Sequence, residues 1–292
     1  MSSLGSTTGG GGGGGGRLWD LILAPEGLTT SFQPIFERKD GQLTVFALEA
    51  LNRGPRGTNI ERSDVLFEYV RRKRGEVAID RLAIAASLRE ARGLPEVPGL
   101  SLNIHAATLE REPRLPAWLA EMAAEYEVPC KRIIVEIVEH APPWSGRQFL
   151  ESLDRLRTLG MRIALDDVGL GQSNFRMILD CRPDLLKIDR HFVSGAHADE
   201  NRRAVLESIA DLAVRLGAKA VAEGIEDERD LEVVLASGIG LLQGFLLCRP
   251  CSSKRLRKLD FMKRLWSEPL PEGYGDDLPD DPSATQEVPA PR

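Results

Sequence analysis

The chain has 292 residues, 42% of them apolar, and a formal net charge of −6. That leaves room for one large α/β domain with tails or for two small domains, and the acidic balance, with no long run of Lys and Arg, argues against a polymeric nucleic-acid partner. No stretch reaches the ~18 continuous apolar residues of a membrane span, and no basic start leads into an apolar run, so neither membrane insertion nor a secretory signal is expected and the chain reads as cytoplasmic.

Residues 1–16 are mostly Ser, Thr and an unbroken glycine tract, Gly9 to Gly16. Glycine loses the most entropy on ordering and brings no side chain to bury, so a flexible tail is expected. The folded unit is expected over residues 17–266, followed by an acidic, Pro-rich tail over 267–292 that is expected to stay disordered. Inside the unit, β-rich runs at 31–36 and 43–51 flank Asp40-Gly41, a hairpin signal. Two helical patterns follow, at 60–74 and 76–92. The basic Arg71-Arg72-Lys73-Arg74 closes the first and reads as a solvated helix end whose charges complement the helix dipole. Strands are then expected at 100–104, 132–138, 161–166, 184–189, 218–222 and 240–243, separated by helices at 107–127, 145–159, 173–180, 200–216 and 226–237. Eight strands mostly alternating with helices predict an α/β fold, a TIM-like (β/α)8 barrel whose opening hairpin makes the first strand antiparallel. Cys130, Cys181, Cys248 and Cys251 read as free thiols of a reducing compartment. The lone Cys-Arg-Pro-Cys at 248–251 is two ligands short of a structural zinc site.

In such barrels reactive side chains sit at the carboxyl ends of the strands. Those ends carry Glu49, Asn103, Glu136, Asp166-Asp167, Lys187-Ile188-Asp189, Glu223 and Gln243. A single acid at a strand end is usually a helix cap or a surface charge. Five carboxylates with an amide oxygen at successive ends instead suggest a site for hard divalent cations, because bare carboxylates in a buried mouth would repel one another into protonation.

Ser-Phe-Gln33-Pro-Ile followed by Glu49-Ala50-Leu51-Asn52-Arg53 resembles the opening of EAL domains. The resemblance continues through Leu-Asn103-Ile, Glu136-Ile-Val-Glu139, Asp166-Asp167-Val-Gly-Leu-Gly, Lys187-Ile-Asp189-Arg, Ala-Glu223-Gly-Ile-Glu226 and Leu-Gln243-Gly-Phe. It implies metal-dependent cleavage of cyclic di-GMP to linear pGpG. By the same resemblance Glu49, Asn103, Glu136, Asp166, Asp167 and Glu223 are the metal ligands, holding two Mg²⁺ or Mn²⁺ ions with Ca²⁺ inhibitory. Lys187, with Glu49 and Glu223, forms the catalytic set; Glu139 steadies the loop after the Asp-Asp pair; Gln33, Arg53 and Gln243 contact substrate; and the protein acts as a homodimer. The chain departs from the family at the loop that commonly reads Phe-Gly-Thr-Gly-Tyr-Ser-Ser and is here Val168-Gly169-Leu170-Gly171-Gln172-Ser173-Asn174. Val138 replaces a common Thr, Gly54 a common Trp and His105 a common Ser. The altered loop keeps open an alternative, a weak or inactive domain serving as a cyclic di-GMP receptor or protein-interaction regulator.

Overall fold

The computed structural model describes residues 14–24, 26–94, 99–138, 146–169, 174–257 and 264–265. Its first element is a helix that the sequence hides. α1 (Gly14–Leu23) begins inside the glycine tract, in a stretch read as tail. Propensity does not hold it. Leu18, Trp19 and Ile22 lie on one face and pack against Leu28, Ile60, Leu66, Val70 and Ile79, so burial does. Residues 1–13 and the expected C-terminal tail, 267–292, lie outside the described residues.

β1 (Thr29–Lys39) and β2 (Gln42–Arg53) form the expected hairpin, and Asp40 and Gly41 turn it with φ of 51° and 76°. Two helices follow, α2 (Ser63–Arg72) and α3 (Glu76–Ala91). β3 (Leu100–His105) then leads to α4 (Ala106–Arg111) and α5 (Leu115–Glu125), where one helix over 107–127 was expected. Pro113 disfavours helical backbone at the residue before it, and Glu112 accordingly leaves the helix at φ −121°, ψ 82°.

The alternation continues with β4 (Ile133–Val138), α6 (Arg147–Thr158), β5 (Arg162–Val168) and α7 (Asn174–Cys181). Next come β6 (Leu185–Ile188), the one-turn α8 (Arg190–Val193), α9 (Glu200–Leu216), β7 (Lys219–Ala222), α10 (Glu228–Ala236) and β8 (Leu241–Leu242). A short α11 (Ser253–Leu256) follows, and β9 (Arg264–Leu265) adds to the start of β2.

Neighbouring strands from β2 to β8 pair in parallel, and β1 closes the sheet by pairing antiparallel with both β2 and β8. This is the expected barrel with its reversed first strand. Strand alternation decides what fills it. Ile35, Ala47, Ile134, Ala164, Leu185, Val221 and Leu241 form a buried apolar plug. Each stands two residues along its own strand line from Gln33, Glu49, Glu136, Asp166, Lys187, Glu223 or Gln243. The same inward face therefore carries an apolar layer below and a polar layer at the mouth.

Candidate functional site

Lys187 is the centre of the polar layer and is 2% exposed. Its Nζ lies 2.6 Å from Glu223 Oε1, 3.4 Å from Asp166 Oδ1 and 3.5 Å from Glu49 Oε2, and it donates a hydrogen bond to Glu136 Oε1. Four strands from around the barrel thus aim a carboxylate at one ammonium. Burial works against charge on Lys187, but Asp166, Glu136, Glu223 and Glu49 outweigh it and hold the amine protonated well above its ordinary range. One positive charge does not balance four negative ones. Burial, reinforced by Glu49 and Asp166 and only partly offset by Lys187, pushes the Glu136 carboxyl up to about 8. Burial raises Glu223 in the same direction, against the pull of Lys187.

The donor set fits hard divalent cations. An ammonium has three protons, and the geometry leaves Asp166 Oδ1 and Glu223 Oε1 buried and without a hydrogen bond despite their closeness to Lys187. Asp166, Asp167 and Glu223 each offer an oxygen, all within 4.8 Å of one another, the spacing that a shared cation needs. Asp167 reaches this position through a left-handed backbone, φ 50°, where β5 ends.

The surrounding polar groups orient the carboxylates. Gln243 Nε2 donates to Glu49 Oε2 at 2.6 Å, and Ser101 Oγ to Glu136 Oε2 at 2.7 Å. Asn103 spends its Nδ2 on the Ala50 carbonyl at 3.4 Å, which leaves its amide oxygen as the atom suited to a cation. Gln33 Nε2 donates to the Cys248 carbonyl at 3.1 Å. Above the cluster open two confluent cavities of about 550 and 240 Å³, sharing Gln33, Glu49, Leu51, Asp166 and Phe245. The larger reaches Arg53, Asn103 and His105 and is walled by Phe67 and Arg71 of α2; the smaller takes in Lys187, Glu223 and Gln243.

Glu49, Glu136, Asp166 and Glu223 are therefore gathered around Lys187, with Gln243 joined to them through Glu49, Asp166, Asp167 and Glu223 grouped at the mouth, and Gln33, Arg53 and Asn103 on the cavity wall. Glu139 lies outside the described residues, as do 170–173 of the altered loop. Of that loop's two glycines, Gly169 turns at φ 103°. Arg71 pairs with Glu68 at 3.0 Å and faces the cavity as well as solvent, so it is more than a solvated helix end. Sequence reasoning missed Ser101, Asp80, Phe67 and Phe245. Ser101 carried a signal, standing two residues before Asn103 on the same strand face, and Phe245 closes the motif that begins at Leu242.

The family model described as EAL domain matches residues 21–250. The probable cyclic di-GMP phosphodiesterase PdeB of Escherichia coli is 31% identical, covering 81% of this chain and 44% of its own length. The cyclic di-GMP phosphodiesterase RocR of Pseudomonas aeruginosa is 29% identical, over 56% of this chain and 42% of its own. The chain spans less than half the length of the curated relatives it matches. Among solved structures, Klebsiella pneumoniae BlrP1 in its manganese and cyclic di-GMP complex superposes with a TM-score of 0.69 at 27% identity, covering 78% of this chain and 57% of that one.

Proposed function

The chain belongs to the EAL domain family, and on that premise we propose that it hydrolyses one phosphodiester of cyclic di-GMP to give linear pGpG, using two Mg²⁺ or Mn²⁺ ions. The observation that carries this reading is the cluster of Glu49, Glu136, Asp166 and Glu223 within 3.5 Å of the buried Lys187, at the floor of the cavity. A phosphodiester is an anion, and this floor repels it unless cations intervene. Glu49, Asn103, Glu136, Asp166, Asp167 and Glu223 would hold them. Bound there, divalent cations supply an acidified water and countercharge for the phosphate.

The chain's own residues do the rest. Lys187 holds a fixed positive charge beside the reacting phosphate in a site shielded from water, where such a charge acts strongly. Gln243 and Ser101 keep Glu49 and Glu136 in place, and Gln33, Arg53 and Gln243 are positioned to orient the dinucleotide. Glu139 is proposed, by family likeness, to steady the loop after Asp167. We also propose a cytoplasmic homodimer. Phe175 and Leu179, one turn apart on α7, are 75% and 70% exposed and would be covered by a second copy, while the free cysteines suit a reducing compartment.

The deciding experiment incubates purified protein with cyclic di-GMP and either Mg²⁺ or Mn²⁺. Linear pGpG should accumulate and a chelator should abolish it, while Ca²⁺ supports binding without efficient cleavage. Tight binding with no product under either metal would favour the receptor reading.

A further inference from the structure

One face of α2 lines the larger cavity. Asp64, Phe67, Glu68 and Arg71 stand on its wall, at the three- and four-residue spacings that place side chains on one side of a helix. The same cavity reaches down to Glu49 and Asp166. Phe67 packs against the His105 ring at 5.6 Å, and Asp80 of α3 holds that ring, with Oδ1 2.7 Å from His105 Nδ1. One turn on from Phe67, Arg71 Nη1 donates to Glu68 Oε2 at 3.0 Å, while the other oxygen of Glu68 accepts from Arg72 Nε at 2.8 Å. Arg72 lines a neighbouring cavity and not this one. Of the two arginines that share Glu68, Arg71 is therefore the one turned to the site. A guanidinium carries five N–H donors in a planar fork, and the bond to Glu68 is the one side-chain hydrogen bond of Arg71 among the described residues.

We propose that Arg71, braced by Glu68, is a specificity-determining residue that reads the O6 and N7 edge of one guanine of the bound dinucleotide. The inference rests on the phosphodiesterase reading and deepens it. With one phosphate held on the floor beside Lys187, the nucleosides have the cavity wall to lie against. There α2 presents an aromatic ring and, one turn further, a planar fork of donors. Guanine carries two acceptors on this edge, O6 and N7, which two parallel guanidinium N–H groups match; adenine sets an amino donor where O6 would be and so opposes the fork. The second phosphate of the ring is a poorer target. Glu68 lies against Arg71 and offsets its charge, which weakens a contact made by charge and leaves intact one made by hydrogen-bond pattern. The same brace makes Glu68 a positioning residue. Arg71 has a side chain 46% exposed, and holding it in one place beforehand lowers the ordering cost when ligand arrives.

The test measures affinity in Ca²⁺ for three ligands: cyclic di-GMP, its inosine analogue, which keeps O6 and N7, and cyclic di-AMP. Wild type should prefer the first two over cyclic di-AMP by at least about tenfold. Arg71→Ala should weaken both preferred ligands about tenfold and leave cyclic di-AMP nearly unchanged, so that the preference shrinks. Arg71→Lys keeps the charge but not the fork and should lose the preference as alanine does. Glu68→Gln should reduce it by a smaller factor, seen in Mn²⁺ as a higher KM for cyclic di-GMP with a steady kcat. An equal loss for all three ligands in Arg71→Ala, restored by lysine, would overturn the proposal in favour of a phosphate contact. An unchanged preference in Arg71→Ala would overturn it outright. Should the alanine variant fail to fold, Arg71→Lys alone decides. A wild-type protein that neither binds nor cleaves cyclic di-GMP would instead remove the phosphodiesterase reading, a different result from variants that match an active parent.

Discussion

At the residue scale, a lysine ringed by four carboxylates is a poor device for stability, because desolvating so many charges offsets most of their attraction. It makes sense as a cation site, and single changes should show this. Glu49→Ala or Asp166→Asn should lower cleavage by at least ~10³-fold, each removing an oxygen and a charge from the cation's surroundings. Lys187→Ala should lower turnover while leaving the half-saturating metal concentration nearly unchanged. Near wild-type rates in all three would show that the assigned site is wrong. The pH dependence follows from the same crowding. Glu136 titrates near 4.5 when unfolded and about 8 when folded, and Glu223 shifts in the same direction. Between those values the folded state binds protons that the unfolded state has lost, so stability falls as pH rises across that window. In chelator, melting temperature should therefore decline between pH 5 and 8. Mn²⁺ displaces those protons, so the stabilisation it adds should grow over the same range. A metal-induced gain that is flat with pH would contradict this account.

At the element scale, strand ends were legible and helix partners were not. Glu49, Glu136, Asp166, Lys187, Glu223 and Gln243 could be read because a strand's period of two forces every residue two places beyond the apolar plug to face inward. Asp80 gave no comparable sign. It sits on a helix 25 residues from the histidine it holds, and only the packing of α3 against β3 brings them together. The division of 107–127 was written in Pro113, but the expected run of helix outweighed it. The turn after β5 offers a test of how strictly an element end places the site. Gly169 has φ 103°, and a Cβ there would stand 2.4 Å from the Phe192 ring. Gly169→Ala should thus displace the turn that carries Asp166 and Asp167. Misplacing catalytic groups by about 1 Å can lower rates on the order of 10²-fold, so activity should fall at least tenfold and the half-saturating Mn²⁺ concentration should rise. An alanine variant with the parent's metal titration would show that the turn tolerates the shift.

At the scale of the whole molecule, the barrel accounts for the floor of the site, and the additions to it account for the wall. One test at this scale is of the proposed homodimer: Phe175→Glu with Leu179→Glu should convert it to a monomer by light scattering, and an unchanged mass would place any interface elsewhere. α1 is one of the additions. It packs behind α2 and α3, the pair that supplies Phe67, Arg71 and Asp80 to the cavity. Ile22 is fully buried there, and Trp19 lies so close to Gly75, in the link between α2 and α3, that any side chain at 75 would collide with its indole. Fully burying one large apolar side chain stabilises by roughly 1.5–3 kcal/mol, and α1 contributes Leu18, Trp19 and Ile22. At about 2–4 °C per kcal/mol for a domain of this size, deletion of residues 1–23 should lower the melting temperature by at least ~5 °C. Deletion of 1–13, which removes mostly Gly, Ser and Thr, should leave it nearly unchanged. Because α2 would lose its backing, the longer deletion should also weaken cyclic di-GMP binding more than it alters the Mn²⁺ titration. Equal melting temperatures for the two truncations would mean that α2 and α3 hold the cavity wall without α1.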